Sequence, residues 1–189
     1  MLALFVATSS KASACAHNGF YFGGGYTQQF LFTPEHRLTL GGGSRVNFGI
    51  PISAYALWGY DFCGTRWGIQ MPVEYSTFRL NRSERVGMMG ASVEGVYHLV
   101  EWADGFDFHL VGGIGGQYLT EGAINDRTES VGMTVAAGPG ISWFFGKNHH
   151  FSLTSQFPLR AIIFFGNRLS ANHTTVIDLP LRLGFTVGF

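Results

Sequence analysis

The chain has 189 residues, and its 12 basic and 12 acidic side chains give a formal net charge of zero. Only 13% of its residues are charged, whereas 46% are hydrophobic and 27 are glycine, so neither a disordered chain nor a largely helical fold is expected. A neutral chain has no global attraction to nucleic acid, and the absence of long apolar runs excludes a membrane helix. A transmembrane β-barrel is compatible with these facts, because its strands alternate apolar and polar residues and give no hydropathy peak.

The first predicted element is an export signal at residues 1–14. Leu2–Ala7 is a short apolar run, and Ala12, Ser13 and Ala14 form a small-residue cleavage site. The basic residues that usually precede such a run are missing, so we interpret the signal as truncated at its start or the start of the sequence as wrongly placed. This divides the chain into a signal peptide, 1–14, and one domain, 15–189. The alternative is that 1–14 is a hydrophobic tail.

From residue 19 onward, apolar residues alternate with small or polar residues. The alternation is clearest at the end of the chain, where Leu181, Leu183, Phe185 and Val187 are separated by polar residues or glycine. A period of two is typical of a strand with one apolar face. It predicts eight strands, at 19–32, 48–62, 66–79, 86–100, 106–119, 130–145, 151–165 and 175–189.

The segments between the predicted strands alternate in length. Long polar segments follow the odd strands, and short turns follow the even strands. This asymmetry is typical of outer-membrane barrels, which have long loops outside the cell and short turns in the periplasm. The predicted fold is therefore all-β: an eight-stranded antiparallel up-and-down transmembrane β-barrel. The pattern alone does not say which face is inside, so a soluble lipocalin-like barrel is the competing fold.

Four tryptophans, Trp58, Trp67, Trp102 and Trp143, fall at the short-turn ends of predicted strands. Tryptophan is enriched where a protein surface meets lipid headgroups. We therefore predict an aromatic belt at the periplasmic interface, extended by Tyr60, Phe62, Phe144 and Phe145. The alternative is that the tryptophans close one end of a soluble barrel.

The last eight residues carry the most specific motif. Arg182, Gly184, Val187 and the terminal Phe189 resemble the C-terminal signature by which outer-membrane barrels are recognised for assembly. The Gly59–Phe62 stretch also resembles the second strand of OmpA- and OmpX-like barrels. On these motifs the chain resembles the family of small eight-stranded bacterial outer-membrane barrels. The resemblance implies location in the bacterial outer membrane, and delivery by periplasmic chaperones and the barrel-assembly machinery.

The predicted lumen is lined by charged side chains. An eight-stranded barrel has an interior just wide enough for side chains to fill it. The strand phase places eight polar residues inward, because a charge facing lipid is costly; they are Glu74, Glu94, Asp107, His109, Gln156, Arg160, Asp178 and Arg182. We predict that Glu74, Glu94 and Asp178 form an acidic–basic cluster with Arg160 and Arg182 that fills the lumen. A gated path for protons or small ions is the alternative interpretation.

A disulfide bond and a lipid contact are predicted at opposite ends of the barrel. Cys15 and Cys63 flank the first hairpin at its periplasmic mouth, where the oxidising compartment allows a disulfide. Lipidation of Cys15 would exclude this bond. In the outer loops, Arg79, Arg82 and Arg85 are predicted to contact the phosphates of lipopolysaccharide, since arginine suits bidentate phosphate contact.

No catalytic site is predicted. His150, Phe151 and Ser152 have the His-x-Ser spacing of a lipid A deacylase, but they open a strand at the periplasmic end, and Leu153 stands where that enzyme has asparagine. We therefore predict a monomeric, non-enzymatic outer-membrane protein, structural or surface-interacting, with no cofactor and no metal. Its predicted partners are outer-membrane lipids. A small channel or ligand carrier and a lipid A-modifying barrel enzyme are the alternatives.

Overall fold

The computed structural model describes residues 19–32, 39–40, 44–45, 52–80, 84–101, 105–121, 130–146, 150–165 and 174–189. Every regular element in these residues is a β-strand. None of them belongs to a helix that is long and apolar enough to cross a membrane. The predicted signal peptide at 1–14 lies outside the described residues.

The strands follow one another in a simple order along the chain. They are β1 (Phe20–Gln28), β2 (Leu31–Phe32), β3 (Thr39–Leu40), β4 (Ser44–Arg45), β5 (Ile52–Asp61), β6 (Trp67–Leu80), β7 (Glu84–Glu101), β8 (Phe106–Glu121), β9 (Ser130–Phe145), β10 (Phe151–Gln156), β11 (Leu159–Phe165), β12 (Thr174–Asp178) and β13 (Leu181–Gly188).

The strands form a closed antiparallel barrel. From β13 the pairing runs through β1, β5, β6, β7, β8 and β9, and the ring closes because β10 pairs with both β9 and β13. Near the loop end, β11, β12 and β2 continue the barrel strands that contain β10, β13 and β1. The small β3–β4 hairpin stands apart from this sheet. The predicted eight-stranded up-and-down barrel is therefore confirmed.

Two of the breaks within barrel strands occur at prolines. Pro158 separates β10 from β11, and Pro180 separates β12 from β13. Proline has no backbone N–H to donate to a ladder, so it interrupts strand pairing. The residue before each proline still forms a backbone hydrogen bond to a neighbouring strand. The Phe157 N–H donates to the Pro139 carbonyl, at 2.9 Å, and the Leu179 N–H donates to the Phe30 carbonyl, at 3.0 Å.

The sequence alternation divides the barrel into a polar lumen and an apolar outer wall. In β8, Phe108 and Leu110 are exposed on the outside, whereas Asp107 and His109 are buried. Aliphatic and aromatic side chains are exposed in one phase along each of the other long strands, whereas on β7 the phase changes at a bulge between His98 and Val100, so that Val93 and Val100 are both exposed. A barrel that is apolar outside and polar inside has the polarity of a transmembrane barrel, opposite to that of a soluble carrier.

Inward-facing glycines make room for large lumen side chains. A Cβ atom at Gly59 would overlap the ring of Tyr21 on the neighbouring strand. A Cβ atom at Gly184 would overlap the hydroxyl of Tyr55. Both tyrosines are buried. Because each large ring lies against a glycine, the narrow lumen accommodates aromatic residues without widening.

Apolar side chains fill the lumen on both sides of its charged middle. Met88, Ile162, Phe164 and Val176 are buried toward the loop end, and Tyr21, Leu57, Val96, Val111 and Phe144 toward the turn end. The prediction that Phe144 extends the outer belt is therefore wrong. It has the inward parity of β9, whereas Trp143 on the adjacent position is exposed.

Candidate functional site

The charged residues of the lumen meet at one place, which we call the lumen charge cluster. It consists of Glu74 on β6, Glu94 on β7, Arg160 on β11, Asp178 on β12 and Arg182 on β13. None of the five is more than 3% exposed. The structure thus brings together all five residues that were predicted to form the acidic–basic cluster.

Arg182 is the centre of the lumen charge cluster. Its Nη1 and Nη2 donate to Oε2 and Oε1 of Glu94, at 2.8 and 2.9 Å, and its Nε donates to Oε1 of Glu74, at 2.6 Å. The contact with Glu94 is the two-pronged geometry in which arginine binds carboxylates most strongly. Three strands separate β13 from β7 on either side of the ring, so this ion pair crosses the full lumen.

Arg160 extends the cluster toward the loop end. Its Nη2 donates to Oε2 of Glu74 at 2.7 Å, so one carboxylate bridges two guanidinium groups. Its Nε lies 3.3 Å from Oδ2 of Asp178, within ion-pair distance. Asp178 is also its direct neighbour in the β11–β12 register. The cluster therefore contains two guanidinium groups and three carboxyl groups.

A second group of buried polar residues lies toward the turn end. Asp107 Oδ2 lies 3.0 Å from His98 Nδ1 and 2.9 Å from His109 Nδ1, and the second His98 nitrogen lies 3.4 Å from Asp61 Oδ1. Sequence reasoning placed Asp107 and His109 inward but missed the contribution of Asp61 and its contact with His98. Asp61 has the same parity as the buried residues Tyr55 and Leu57, which is the signal that identifies it.

Two glutamines connect the two polar groups. Gln70 donates to Oε2 of Glu94 at 2.7 Å, and the amides of Gln70 and Gln156 exchange hydrogen bonds at 3.3 Å. Gln156 Nε2 also lies 3.3 Å from His109 Nε2. The polar contacts therefore run continuously along the lumen from Asp61 to Arg160.

A small cavity lies at the turn end of this network. Its volume is about 20 Å³, and it is lined by Asp61, His98, Asp107, His109 and Gln156 among others. That volume holds about one water molecule. Among the residues that the structure describes, no three His, Cys, Asp or Glu side chains are placed to hold a metal ion. The arrangement is suited to closing the lumen.

The described tryptophans of the predicted belt lie on the outer wall near the turns. Trp58, Trp67 and Trp143 are 45%, 57% and 45% exposed. The Trp67 ring packs against Tyr97, and Trp143 stacks on Phe106 with a centroid separation of 6.0 Å. Trp102 lies outside the described residues.

The residues of the C-terminal signature lie on different faces of the barrel wall. Arg182 faces the lumen, Gly184 makes room for Tyr55, and Phe189 is 65% exposed on the outer wall. Phe189 stacks on Phe22 at 5.4 Å, and its N–H donates to the Phe20 carbonyl at 3.0 Å. Val187, also on β13, is the register partner of Phe22. The end of the chain is thus held against β1 at the seam that closes the barrel.

The remaining predicted residues are only partly described. Cys63 is disulfide-bonded, whereas Cys15 lies outside the described residues, so the Cys15–Cys63 pairing stays a prediction. Arg82 also lies outside them. The backbones of Arg79 and Arg85 are described, and the β6–β7 register places these two residues directly opposite each other.

Comparison with known proteins shows a common fold without close sequence relatives. No family model matches the chain. No curated protein sequence matches it either.

Solved structures do match. Neisserial surface protein A superposes with a TM-score of 0.64 and 13% identity, over 90% of this chain and 97% of that chain. OprG, an outer membrane protein of Pseudomonas aeruginosa, gives 0.55 and 13%, over 90% and 95%. AlkL, an outer membrane protein studied in DMPC bilayers, gives 0.54 and 16%, over 100% and 97%. The chain therefore has the fold of the small eight-stranded outer-membrane β-barrels.

Proposed function

We propose that the protein is an integral outer-membrane protein whose closed barrel anchors its loops at the cell surface, without catalysis and without conduction. The apolar outer wall and the tryptophans near the turns support insertion into a bilayer. The membrane of Gram-negative bacteria that contains such barrels is the outer membrane, where AlkL and OprG are also found by description.

The ion pair between Arg182 and Glu94 carries the proposal of a closed lumen. It spans the barrel between opposite strands, and Glu74 ties the same guanidinium to a third strand. A charge left unpaired in such a site is strongly unfavourable, so the pair resists opening. A channel would need the whole cluster to rearrange, and the 20 Å³ cavity beside it is too small for a hydrated ion.

Two measurements test this proposal. On an SDS gel, the detergent-purified protein is expected to run differently unboiled and boiled, as a detergent-resistant barrel does. In planar bilayers it is expected to give no stepwise conductance, whereas E94A/R182A, which removes the crossing pair, serves as the opened control. Solubility without detergent would contradict the membrane anchor, and conductance steps from the wild type would contradict the closed lumen.

We also propose that the protein reaches the membrane as a monomer, through periplasmic chaperones and the barrel-assembly machinery, which read Arg182, Gly184, Val187 and Phe189. The exposed ring of Phe189 at the β1–β13 seam supports this role. Phe189→Ala is expected to lower the amount of folded protein in the outer membrane. Phe185→Ala, an exposed aromatic position on the same strand, is the control, and equal losses for both would contradict a signal at Phe189.

Contact with lipopolysaccharide through Arg79, Arg82 and Arg85 is the second part of the proposal. Arg79 and Arg85 are opposite each other in the register, and like charges so placed are unfavourable unless an anion lies between them. The triple variant R79Q/R82Q/R85Q is expected to weaken co-purification of lipopolysaccharide. Arg66→Gln, at an exposed short turn on the other end, is the control. Unchanged co-purification in the triple variant would contradict the contact.

A further inference from the structure

His98, on β7, lies between two carboxyl groups near the turn end of the lumen. Its Nδ1 lies 3.0 Å from Oδ2 of Asp107 on β8, and its Nε2 lies 3.4 Å from Oδ1 of Asp61 on β5. All three side chains are buried. Because β5 is not a neighbour of β7 in the sheet, the imidazole ring links strands that the backbone ladder does not join directly.

Each of these two contacts requires a proton of its own. A bare imidazole nitrogen and a carboxylate oxygen are both acceptors, so neither contact is favourable without a hydrogen atom between them. A neutral imidazole has one N–H group and supplies only one of the two contacts. The ordinary pKa of imidazole, about 6.5, exceeds that of an aspartate side chain, about 3.9, so both protons belong on the ring. The hydrogen-bond count therefore favours a doubly protonated ring at His98.

The same count leaves His109 with a single proton. The amide oxygen of Gln156 accepts from Nη1 of Arg182 at 3.4 Å, and arginine has no acceptor, so the orientation of this amide is fixed. Its nitrogen, Nε2, therefore faces Nε2 of His109, at 3.3 Å, as a donor. His109 must accept at Nε2, and its one N–H, at Nδ1, donates to Oδ2 of Asp107 at 2.9 Å. His109 is thus the neutral neighbour of a charged His98.

The cavity of about 20 Å³ beside these residues shows what opposes the carboxylates. The titratable groups in its lining are Tyr21 on β1, Asp61 on β5, His98 on β7, and Asp107 and His109 on β8. The lining residues from β6, β9, β10 and β13 are all uncharged. With His109 neutral, His98 is the group in this lining that supplies a positive charge against two buried carboxylates. Without that charge the two carboxylates would be left unpaired, which is strongly unfavourable in a buried site.

We propose that His98 is a proton-binding site, whose imidazolium clamps Asp61 on β5 to Asp107 on β8 and closes the turn end of the lumen. The bound proton makes the clamp dependent on pH. When the ring loses this proton at alkaline pH, one nitrogen faces a carboxylate with no hydrogen between them, and the two carboxylates lose their shared cation. The clamp therefore stabilises the barrel at neutral pH and is lost as pH rises. This inference goes beyond the proposed anchor, because it assigns a pH response to one end of the barrel.

The first test reads the protons directly. The full chain, labelled with ¹⁵N at its seven histidines, is folded in detergent micelles at about pH 8, where an imidazole of ordinary pKa is almost entirely neutral. The ¹⁵N shifts of the ring nitrogens distinguish protonated from bare nitrogen. We expect one doubly protonated ring, whose signals disappear in H98Q, and one ring protonated at Nδ1 alone, whose signals disappear in H109Q. The unboiled mobility on an SDS gel verifies that each sample is a folded barrel.

The second test removes the reason for the extra proton. Asp61→Asn has nearly the same shape, and its carboxamide donates an N–H to Nε2 of His98, so the ring needs only the proton at Nδ1. We expect His98 to be neutral in D61N at about pH 8. We also expect the folding equilibrium constant of the wild type, measured by urea unfolding, to fall about tenfold more than that of D61N between about pH 8 and about pH 11. Groups that titrate in both proteins cancel in this comparison.

Three results would overturn the proposal. A bare nitrogen on His98 in the wild type at about pH 8 would place the second proton on a carboxyl group. A doubly protonated His109 would mean that the positive charge is not specific to His98. Equal loss of stability at alkaline pH in the wild type and D61N would mean that the proton does not hold the turn end. If D61N does not fold, the wild-type spectrum decides the proposal by itself, and conductance steps from the wild type would contradict only the proposed closed anchor.

Discussion

Arg182 and Glu94 lie on opposite strands of the barrel and are joined by two hydrogen bonds of 2.8 and 2.9 Å. Both residues are almost fully buried, at 1% and 0% exposure. A single guanidinium therefore holds the two halves of the ring at a fixed separation. Its Nε also donates to Oε1 of Glu74 at 2.6 Å, so β6, β7 and β13 are connected through one side chain.

Replacing Arg182 is expected to be costly for stability. Arg182→Met leaves Glu94 without its principal cation and Glu74 with only Arg160, and breaking a buried pair from one side costs about 3–5 kcal/mol. Urea unfolding in detergent micelles measures this loss. Ser92→Ala, which removes one neutral donor to Glu94 at 2.9 Å, is the control and should cost about 1 kcal/mol.

The charge explanation also predicts a rescue. In R182M/E74Q/E94Q the unpaired carboxylates are neutral, so much of the stability lost in R182M should return. If the triple variant is no more stable than R182M, the loss arises from packing of the long side chain, and the ion pair is not its cause.

The lumen packing predicts a large effect of a single methyl group. Gly184→Ala places a Cβ atom into the Tyr55 hydroxyl and close to the Gly24 carbonyl oxygen, and overpacking of this kind costs about 1–3 kcal/mol. Gly116→Ala adds the same methyl group on the outer wall, where there is room, and should be nearly neutral. Y55F/G184A should recover part of the loss. Equal unfolding midpoints for G184A and G116A would contradict the packing account.

The polarity of the barrel predicts how it responds to a charge on its outer wall. Ile114 lies in the middle of β8 and is 64% exposed. In a bilayer, Ile114→Arg should cost about 2–4 kcal/mol if this position faces hydrocarbon near the midplane. Trp67→Arg, at the turn end of β6, should cost less because the interface is wetter. Folding equilibria in lipid vesicles measure both, and an equal cost at the two depths would contradict the assigned membrane span.

The disulfide of Cys63 predicts a covalent link to Cys15, the other cysteine of the sequence. With Cys15 as its partner, the bond closes a long loop, for which the chain-entropy model gives about 4 kcal/mol of stabilisation. Peptide mapping without reductant should find the Cys15 and Cys63 peptides joined. C15S and C63S should lose the same stability, because each removes the same bond. Maleimide labelling of both thiols in the unreduced, unfolded protein would contradict the link.

The positions of the strands could be predicted from the sequence, because the alternation of apolar and polar residues is visible within each strand. The predicted strand at 130–145 matches β9, and the one at 106–119 differs from β8 by two residues. The breaks after Gln156 and Asp178 were not predicted. Period-two hydrophobicity continues through Pro158 and Pro180, and only the missing N–H group of each proline interrupts the ladder.

The common face of Glu74, Glu94 and Arg182 likewise followed from strand phase, and the cost of a charge facing lipid placed that face inward. The sequence predicted that these residues form one cluster, but it could not predict the individual ion pairs, because contacts across a lumen depend on how far each strand is staggered against the next. The same reason explains why Asp61 and His98, 37 residues apart in the chain, were not paired by sequence reasoning.

The amino-acid sequence by itself determined the strands and their two chemically different faces, since these depend on side-chain alternation along single strands. Only the tertiary structure decided that the apolar face lies outside and that the lumen is closed by Arg182 and Glu94. It alone also paired Ala91 with Gly116 on the outer wall, because the register between separate strands sets which residues become neighbours.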